Sequence, residues 1–191
     1  MRSHRTRSNA HSRLSLLTAA VFASAALLVG ASAASANHGQ PDKLVPIHGA
    51  NVGTDYIIPG AADCPPEAGW RFVAEGNGTM SHLGRVDVAV THCTFPDTPP
   101  PDITTGTFGP GLIEITAANG DQLRMTESGW FEVVLTPDGP LAFAYLDWDV
   151  LDGTGRFEGA TGSGTAVSVS DLMGGNYTTY TGHIAYDASN H

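Results

Sequence analysis

Apolar and polar residues alternate along much of this chain with the period of two that is typical of β-strands. Val86, Val88 and Val90 are separated by polar or small residues, so the three valines share one face of an extended strand. Seven further segments are rich in Val, Ile, Thr, Phe and Tyr and also predict strands. They cover residues 70–79, 112–118, 122–128, 131–136, 141–150, 164–170 and 177–186.

Turn-forming residues separate these segments at short intervals. The Asn-Gly-Asp stretch 119–121 lies between two of them, and Asn-Gly is the strongest sequence signal for a tight hairpin. Glycine and proline also occur at 137–140, 153–155 and 173–176, whereas the proline-rich stretch 95–102 predicts a loop. About eight short strands joined in this way predict an all-β fold, either an antiparallel barrel or a sandwich.

Residues 1–36 have the composition of a secretory signal peptide. Four arginines and no acid precede an apolar run at 14–29, and small residues lead to Ala34-Ser35-Ala36. The run has 16 residues, fewer than the roughly 20 that span a bilayer, so cleavage is favoured over an uncleaved anchor. The sequence therefore predicts a secreted, extracellular protein with no later membrane span.

The remaining 155 residues are enough for one domain with a core of its own. Residues 37–69 are rich in Gly, Pro, Ala and Asp and predict an irregular N-terminal segment, with a short strand at 56–58 at most. Residues 70–191 contain all the strong strand signals. The predicted organisation is a signal peptide, an irregular lead-in and one β domain.

Charge limits the partners of the exported chain. All 19 acidic residues follow residue 36, where only five basic residues remain, so the formal charge of 37–191 is −14. Such a chain repels nucleic acids and anionic membranes. Solubility explains this acidity better than an acidic binding surface does.

Cys64 and Cys93 are the two cysteines of the chain, and both follow the predicted signal peptide. In an oxidising compartment such a pair predicts a disulfide, although two unpaired thiols are the alternative. The closed loop of 29 residues would stabilise the fold by about 3–4 kcal/mol.

The string Gly-Thr-Gly-Arg-Phe-Glu-Gly-Ala-Thr-Gly at 153–162 is the most distinctive part of the sequence. Together with 78–86, 115–123 and 180–186, it resembles a group of secreted bacterial proteins with the allene oxide cyclase barrel-like fold, related in shape to plant dirigent proteins. The resemblance implies an eight-stranded antiparallel β-barrel over about 70–187. Many members of the group have no assigned function, and none of the known catalytic residues can be matched to a position here.

The glycines of this string fit a tight corner of a barrel better than a phosphate-binding loop. Ala160 and Gly162 would allow neighbouring strands to approach each other closely. Phe157 is expected to plug one end of the barrel.

The most suggestive polar cluster is Tyr145, Asp147 and Asp149, which share one face of a predicted strand. Two carboxylates about 7 Å apart fit acid–base chemistry or a weak calcium site. They fit a solvated outer face at least as well, and that interpretation is favoured.

Three other residues are candidates for a ligand site. His92 continues the face of the three valines and is expected to point inward, more as a satisfied histidine than as a base. Glu127 shares a face with Leu123 and Met125, and a strand-end position is favoured over an interior polar group. Arg124 lies on the opposite face and could pair with an aspartate across strands. No histidine pair has metal-ligand spacing, so neither a metal nor an organic cofactor is predicted.

These observations favour a secreted barrel that binds a small apolar ligand or a macromolecular partner such as an extracellular protein, without catalysis. A structural or surface protein is the first alternative. A cofactor-free cyclase or isomerase is the second. The sequence leaves open the oligomeric state and the faces that line the interior.

Overall fold

The computed structural model describes residues 43–98 and 101–187, and the predicted signal peptide lies outside them. Each strand pairs antiparallel with the next and the last pairs with the first, so the sheet closes into a barrel. The predicted eight-stranded antiparallel β-barrel is confirmed. The strands are β1 Val45–Pro59, β2 Trp70–Met80, β3 Gly84–Pro96, β4 Thr105–Ala117, β5 Gln122–Thr136, β6 Gly139–Gly153, β7 Thr161–Ser170 and β8 Gly175–Ala185, with a single-turn 3-10 helix at Gly155–Phe157.

Strand β1 corrects the prediction that residues 37–69 are irregular. Its 15 residues pair with β2 on one side and with β8 on the other, which closes the barrel. After Ile47 the inward positions are Gly49, Asn51, Gly53 and Asp55, so the apolar half of the alternation is missing from most of the strand. Pairing of the main chain with two neighbours forms this strand, and that pairing cannot be recognised from local hydrophobicity.

Strand β5 joins two segments that were predicted as separate strands, 122–128 and 131–136. The connection runs through Gly129, where a Cβ atom would collide with the carbonyl oxygen of Tyr145 and lie 2.8 Å from the ring of Phe108. This glycine therefore marks close packing within a strand and not a turn. The predicted number of strands was right because this error and the missed β1 cancelled.

The predicted turns lie between consecutive strands of the barrel. Gly120, Gly139 and Gly174 each have a positive φ in the tight turns after β4, β5 and β7. Strand β3 extends through Phe95 and Pro96, which corrects the start of the predicted loop at 95; the described residues 97, 98, 101 and 102 lie outside the strands. Among the described residues, no helix has the length and apolar character needed to cross a membrane.

The packed half of the barrel is the end that contains the 3-10 helix. Phe157 is fully buried there, with its ring 5.0 Å from that of Tyr186 and the Arg156 guanidinium 5.0 Å above it. Phe157 thus plugs this end, as predicted. Around it lie side chains at most 4% exposed: Ile47, Met80, Leu83, Val86, Ile113, Ile115, Leu123, Met125, Trp148 and Ile184.

A disulfide joins Cys64 to Cys93, as predicted. Cys64 lies between β1 and β2, and Cys93 lies on β3 near the end of the barrel opposite Phe157. The bond ties the longest connection between β-strands at that end, residues 60–69, to the wall of the barrel. Such a bond is consistent with an extracellular location.

Candidate binding cavity

The half of the barrel opposite Phe157 encloses a cavity of about 960 Å³. We call this half of the barrel the hollow half. The mouth of the cavity is surrounded by the strand ends at Pro59, Trp70 and Leu135. The cavity exists because several inward positions carry small side chains that cannot reach across the barrel. These are Ala74, Ala142, Ala144, Ser168 and Ser170.

Strands β2 to β6 supply an apolar wall to this cavity. Aromatic rings dominate it, and Trp70 and Phe131 pack against each other with ring centroids 6.5 Å apart. Such surfaces release water when they contact an apolar molecule, which is the main source of affinity in small-molecule sites. The apolar wall consists of Trp70, Phe72, Val90, Phe108, Phe131 and Leu146.

His92 and Glu127 form a buried pair that lines the cavity. The Nδ1 atom of His92 lies 2.6 Å from Oε1 of Glu127, and their side chains are 9% and 1% exposed. The imidazole is stacked between two rings, with centroid distances of 4.8 Å to Phe72 and 4.4 Å to Phe108. The prediction that His92 points inward is confirmed, whereas Glu127 is an interior polar group and not a strand-end residue.

Gly111 allows these two side chains to meet. It lies on β4, between the strands that carry His92 and Glu127, and it pairs with Glu127. A Cβ atom at Gly111 would lie 2.6 Å from Cβ of His92 and 3.0 Å from Cγ of Glu127. Any larger residue would therefore push the pair apart.

A bulge at Gly109 and Pro110 brings Gly111 to this position. The register of β4 shifts between Phe108 and Gly111 against β5, and the pairing with β3 shifts in the same region. The extra residue lets both Phe108 and Ile113 face inward although they are five positions apart. The sequence signal is the Gly-Pro-Gly tripeptide 109–111, which the strand predictions left out.

Tyr180 completes the polar group near the pair. It is 2% exposed and lines the cavity from β8. Burial, and to a smaller extent the charge of Glu127, raise the pKa of its phenol far above the ordinary value, so Tyr180 stays protonated. Its hydroxyl can serve as a donor.

Strands β1, β7 and β8 supply a polar wall opposite the apolar one. Thr178 donates a hydrogen bond to Ser168 at 2.9 Å. Asn51 is 6% exposed and Asn176 is 9% exposed, yet the Oδ1 atom of each has no hydrogen-bond partner among the described residues. Burial without a partner is costly for an amide, so this wall is suited to a ligand that brings hydrogen-bond donors. The polar wall consists of Asn51, Asp55, Ser168, Ser170, Asn176 and Thr178.

Asp55 lies on the polar wall close to the mouth of the cavity. Burial raises the pKa of its carboxyl, and the nearby charge of Asp171 acts in the same direction. Hydrogen bonds from the side chains of Ser170 and Asn176 oppose the shift but do not cancel it. The Oδ2 atom is buried without a hydrogen-bond partner among the described residues.

The other predicted site residues lie on the outside of the barrel. Asp147 and Asp149 are exposed, and Tyr145 stacks on Trp130 and donates a hydrogen bond to Glu132 at 3.2 Å. They form the solvated outer face that the sequence favoured.

Arg124 also belongs to this outer surface. It forms an ion pair with Asp152 at 3.1 Å and a longer one with Glu114 at 3.5 Å, which is the cross-strand pairing expected. The structure therefore brings His92 and Glu127 together and leaves Tyr145, Asp147, Asp149 and Arg124 outside the cavity.

Within the described residues, no group of three or more His, Cys, Asp or Glu side chains is placed to hold a metal ion. The mouth of the cavity is instead bordered by exposed apolar side chains. Leu135 is 84% exposed and Met173 is 91% exposed, and Tyr56, Ile57 and Leu172 lie beside them. An apolar molecule would meet a compatible surface before it enters the barrel.

The chain is similar to two solved structures of pterocarpan synthase dirigent proteins. It is 11% identical to GePTS1, with 79% of this chain and 90% of that chain covered and a TM-score of 0.29. It is 12% identical to PsPTS1, with 78% and 98% covered and a TM-score of 0.29. No family model and no curated protein matches the chain. At such TM-scores, the fold assignment rests on the strand pairing of the barrel itself.

Proposed function

We propose that this protein binds a small, largely apolar molecule inside the hollow half of its barrel. The observation that carries the proposal is the cavity of about 960 Å³ with a continuous apolar wall. Its volume falls in the range of small-molecule sites, which combine apolar surface with a few polar groups that fix orientation. The His92–Glu127 pair and the polar wall would supply those groups.

A purely structural role is less well supported. A barrel that serves only as a stable scaffold gains packing energy when side chains fill its interior, as they do around Phe157. The small residues Ala142 and Ala144 forgo that energy in the hollow half. Such a loss of packing energy is expected where the open space binds a ligand.

A cofactor-free isomerase is the second candidate, and one observation favours it. The buried His92–Glu127 pair joins a base and a carboxyl group at 2.6 Å inside an apolar site, where proton transfer is effective. Catalysis would require this pair, whereas retention of an apolar molecule would depend mainly on the apolar wall. Loss of binding in Glu127→Gln would therefore not be expected under the binding proposal.

A cavity-filling variant tests the proposal. The neutral apolar dye N-phenylnaphthylamine should bind the unmodified protein with an increase in fluorescence. Ala144→Phe places a ring in the cavity and should weaken dye binding about ten-fold or more, because the lost volume excludes the dye. Titration of dye fluorescence at pH 7 measures the effect.

A matched control adds the same ring outside the barrel. Ala118 is exposed in the turn after β4, so Ala118→Phe should leave dye binding unchanged. Equal dye binding by the unmodified protein and Ala144→Phe, with both shown to be folded by circular dichroism, would refute an interior site. Absence of dye binding to the unmodified protein would refute it as well.

A further inference from the structure

The charged side chains around the cavity are all acidic. Asp55, Glu75 and Glu127 contribute to its lining, and Glu75 is exposed on β2. No lysine or arginine of the described chain contributes to it. A ligand that enters the hollow half therefore meets carboxylates without the cations that would bind an anion.

The basic residues of the described chain lie elsewhere, and their partners keep them there. Arg71 forms an ion pair with Asp63. Arg156 pairs with Asp121 at 3.1 Å in the packed half, and Arg124 pairs on the outer wall. The two others, Lys43 and Arg85, are exposed outside the cavity.

Asp55 and Glu127 differ in how their charge is balanced. Glu127 has His92 as a partner at 2.6 Å. The side chains that donate to Asp55, Ser170 and Asn176, are neutral. Its Oδ2 atom has no hydrogen-bond partner within the described part of the chain, so Asp55 is the carboxylate that a cationic group of a ligand would stabilise most.

A second, independent observation points to the same place. Asn176 forms a side-chain hydrogen bond with Asp55, is 9% exposed and has an Oδ1 atom with no hydrogen-bond partner among the described residues. An ammonium group has three donors and no acceptor. Asp55 and Asn176 offer a carboxylate and an amide oxygen to those donors, and burial makes each such bond stronger than at the surface.

We propose that the ligand is a hydrophobic amine, held with its ammonium group at Asp55 and its hydrocarbon part against the apolar wall. The proposal rests on the proposed binding function and specifies its ligand class. Under this proposal fatty acids and other anionic amphiphiles do not bind, because their head group would lie beside Asp55 and Glu127 with no lysine or arginine in the cavity lining to pair with.

Three ligands that share one ring system separate charge from apolar contact. Naphthylethylamine, naphthylethanol and naphthylacetate are cationic, neutral and anionic at pH 7, and isothermal titration calorimetry measures the affinity of each. The amine should bind about ten-fold or more tightly than the alcohol, as expected for one charge-assisted hydrogen bond. The carboxylate should bind more weakly than the alcohol.

The variant Asp55→Asn assigns the preference to one residue. It should reduce the affinity for the amine to that for the alcohol, while the affinity for the alcohol changes little. Asp138→Asn is the matched control, since Asp138 is exposed in the turn after β5 and does not line the cavity. It removes the same charge and should preserve the preference for the amine.

The outcomes distinguish the two proposals. If the alcohol and the neutral dye bind but the carboxylate binds as well as the amine, the ligand class is wrong and the binding function stands. If Asp55→Asn prefers the amine over the alcohol as strongly as the unmodified protein does, the assignment to Asp55 is wrong. If neither the dye nor any of the three ligands binds, both proposals fail.

Discussion

The two halves of this barrel are built from the same eight strands but fill their interiors differently. In the packed half, bulky apolar side chains and the Phe157 plug form a buried core. In the hollow half, alanine and serine at inward positions of β6 and β7 leave about 960 Å³ open. Strand number and tilt fix the diameter of a barrel, so the size of the inward side chains decides which half is solid.

Polar residues follow the same division. Of the residues that the structure describes, the buried polar ones, among them Asn51, Thr94, Glu127 and Asn176, all line the cavity. The core of the packed half is apolar, apart from groups such as the Trp148 Nε1–H, which donates to the carbonyl oxygen of Thr165 at 3.1 Å. The packed half therefore supplies stability, and the hollow half can carry polar groups that cost stability but serve recognition.

Truncation of one phenylalanine in each half tests this division of labour. Phe157→Ala should reduce the free energy of unfolding by about 3–5 kcal/mol, since a fully buried ring leaves a cavity in close-packed surroundings. Phe72→Ala should reduce it by only about 1–2 kcal/mol, because that ring borders open space on one side. Urea denaturation of both variants measures the difference.

Equal losses in the two variants would show that the hollow half contributes as much packing energy as the packed half. That result would contradict the comparison. The order of the two variants should be reversed for binding of the neutral dye. Phe72→Ala should weaken dye binding, whereas folded Phe157→Ala should bind the dye as well as the unmodified protein does.

Gly111→Ala sharpens the comparison within the hollow half. The new methyl group would overlap His92 and Glu127, so the hydrogen bond between them should be lost. We expect a decrease of about 1–3 kcal/mol in the free energy of unfolding, the usual cost of overpacking. Proton NMR should show the loss of the low-field signal of the shared proton between His92 and Glu127.

A double-mutant cycle separates this effect from a general disturbance of β4. Glu127→Gln weakens the same hydrogen bond, so its cost should be smaller in the Gly111→Ala background than in the unmodified protein. Additive costs would mean that Gly111 does not act through the pair, and the role assigned to this glycine would be withdrawn.

The sequence predicts the walls of the barrel better than its interior. Strands with regular alternation, such as β3, are recognised because one face is apolar along its whole length. Strand β1 escapes recognition since its inward face carries glycine, Asn51 and Asp55. The residues that make the polar wall are thus the ones that obscure the strand.

The site is harder to predict for a related reason. His92 and Glu127 lie on strands that are not adjacent, and they meet across β4 because the bulge at Gly109 places Gly111, which has no side chain, between them. Alternation defines two faces of a strand but not which one is inside. Asp147 and Asp149 were therefore reasonable candidates, although they lie on the outer wall.

The smallest expected effect concerns two aspartates near the mouth, Asp55 and Asp171, whose surroundings act in opposite directions. Burial raises the pKa of Asp55 above its ordinary value of 3.8. Backbone hydrogen bonds, chiefly from Gly175 and then from Met173, lower the pKa of Asp171 below 3.8. One carboxylate is thus destabilised by the native fold, and the other is stabilised by it.

Opposite pH dependences follow from these shifts. For Asp55, the native state holds the proton more tightly, so its contribution to stability is present below pH 3.8 and is lost as the pH rises through the raised pKa. For Asp171, the contribution is present above pH 3.8 and is lost as the pH falls through the lowered pKa. Relative to the unmodified protein, Asp55→Asn should therefore gain in Tm as the pH increases, and Asp171→Asn should lose. Calorimetry at pH 3 and pH 7 measures how the Tm of each variant changes relative to the unmodified protein. A change of the same sign in both variants would show that burial does not raise the pKa of Asp55.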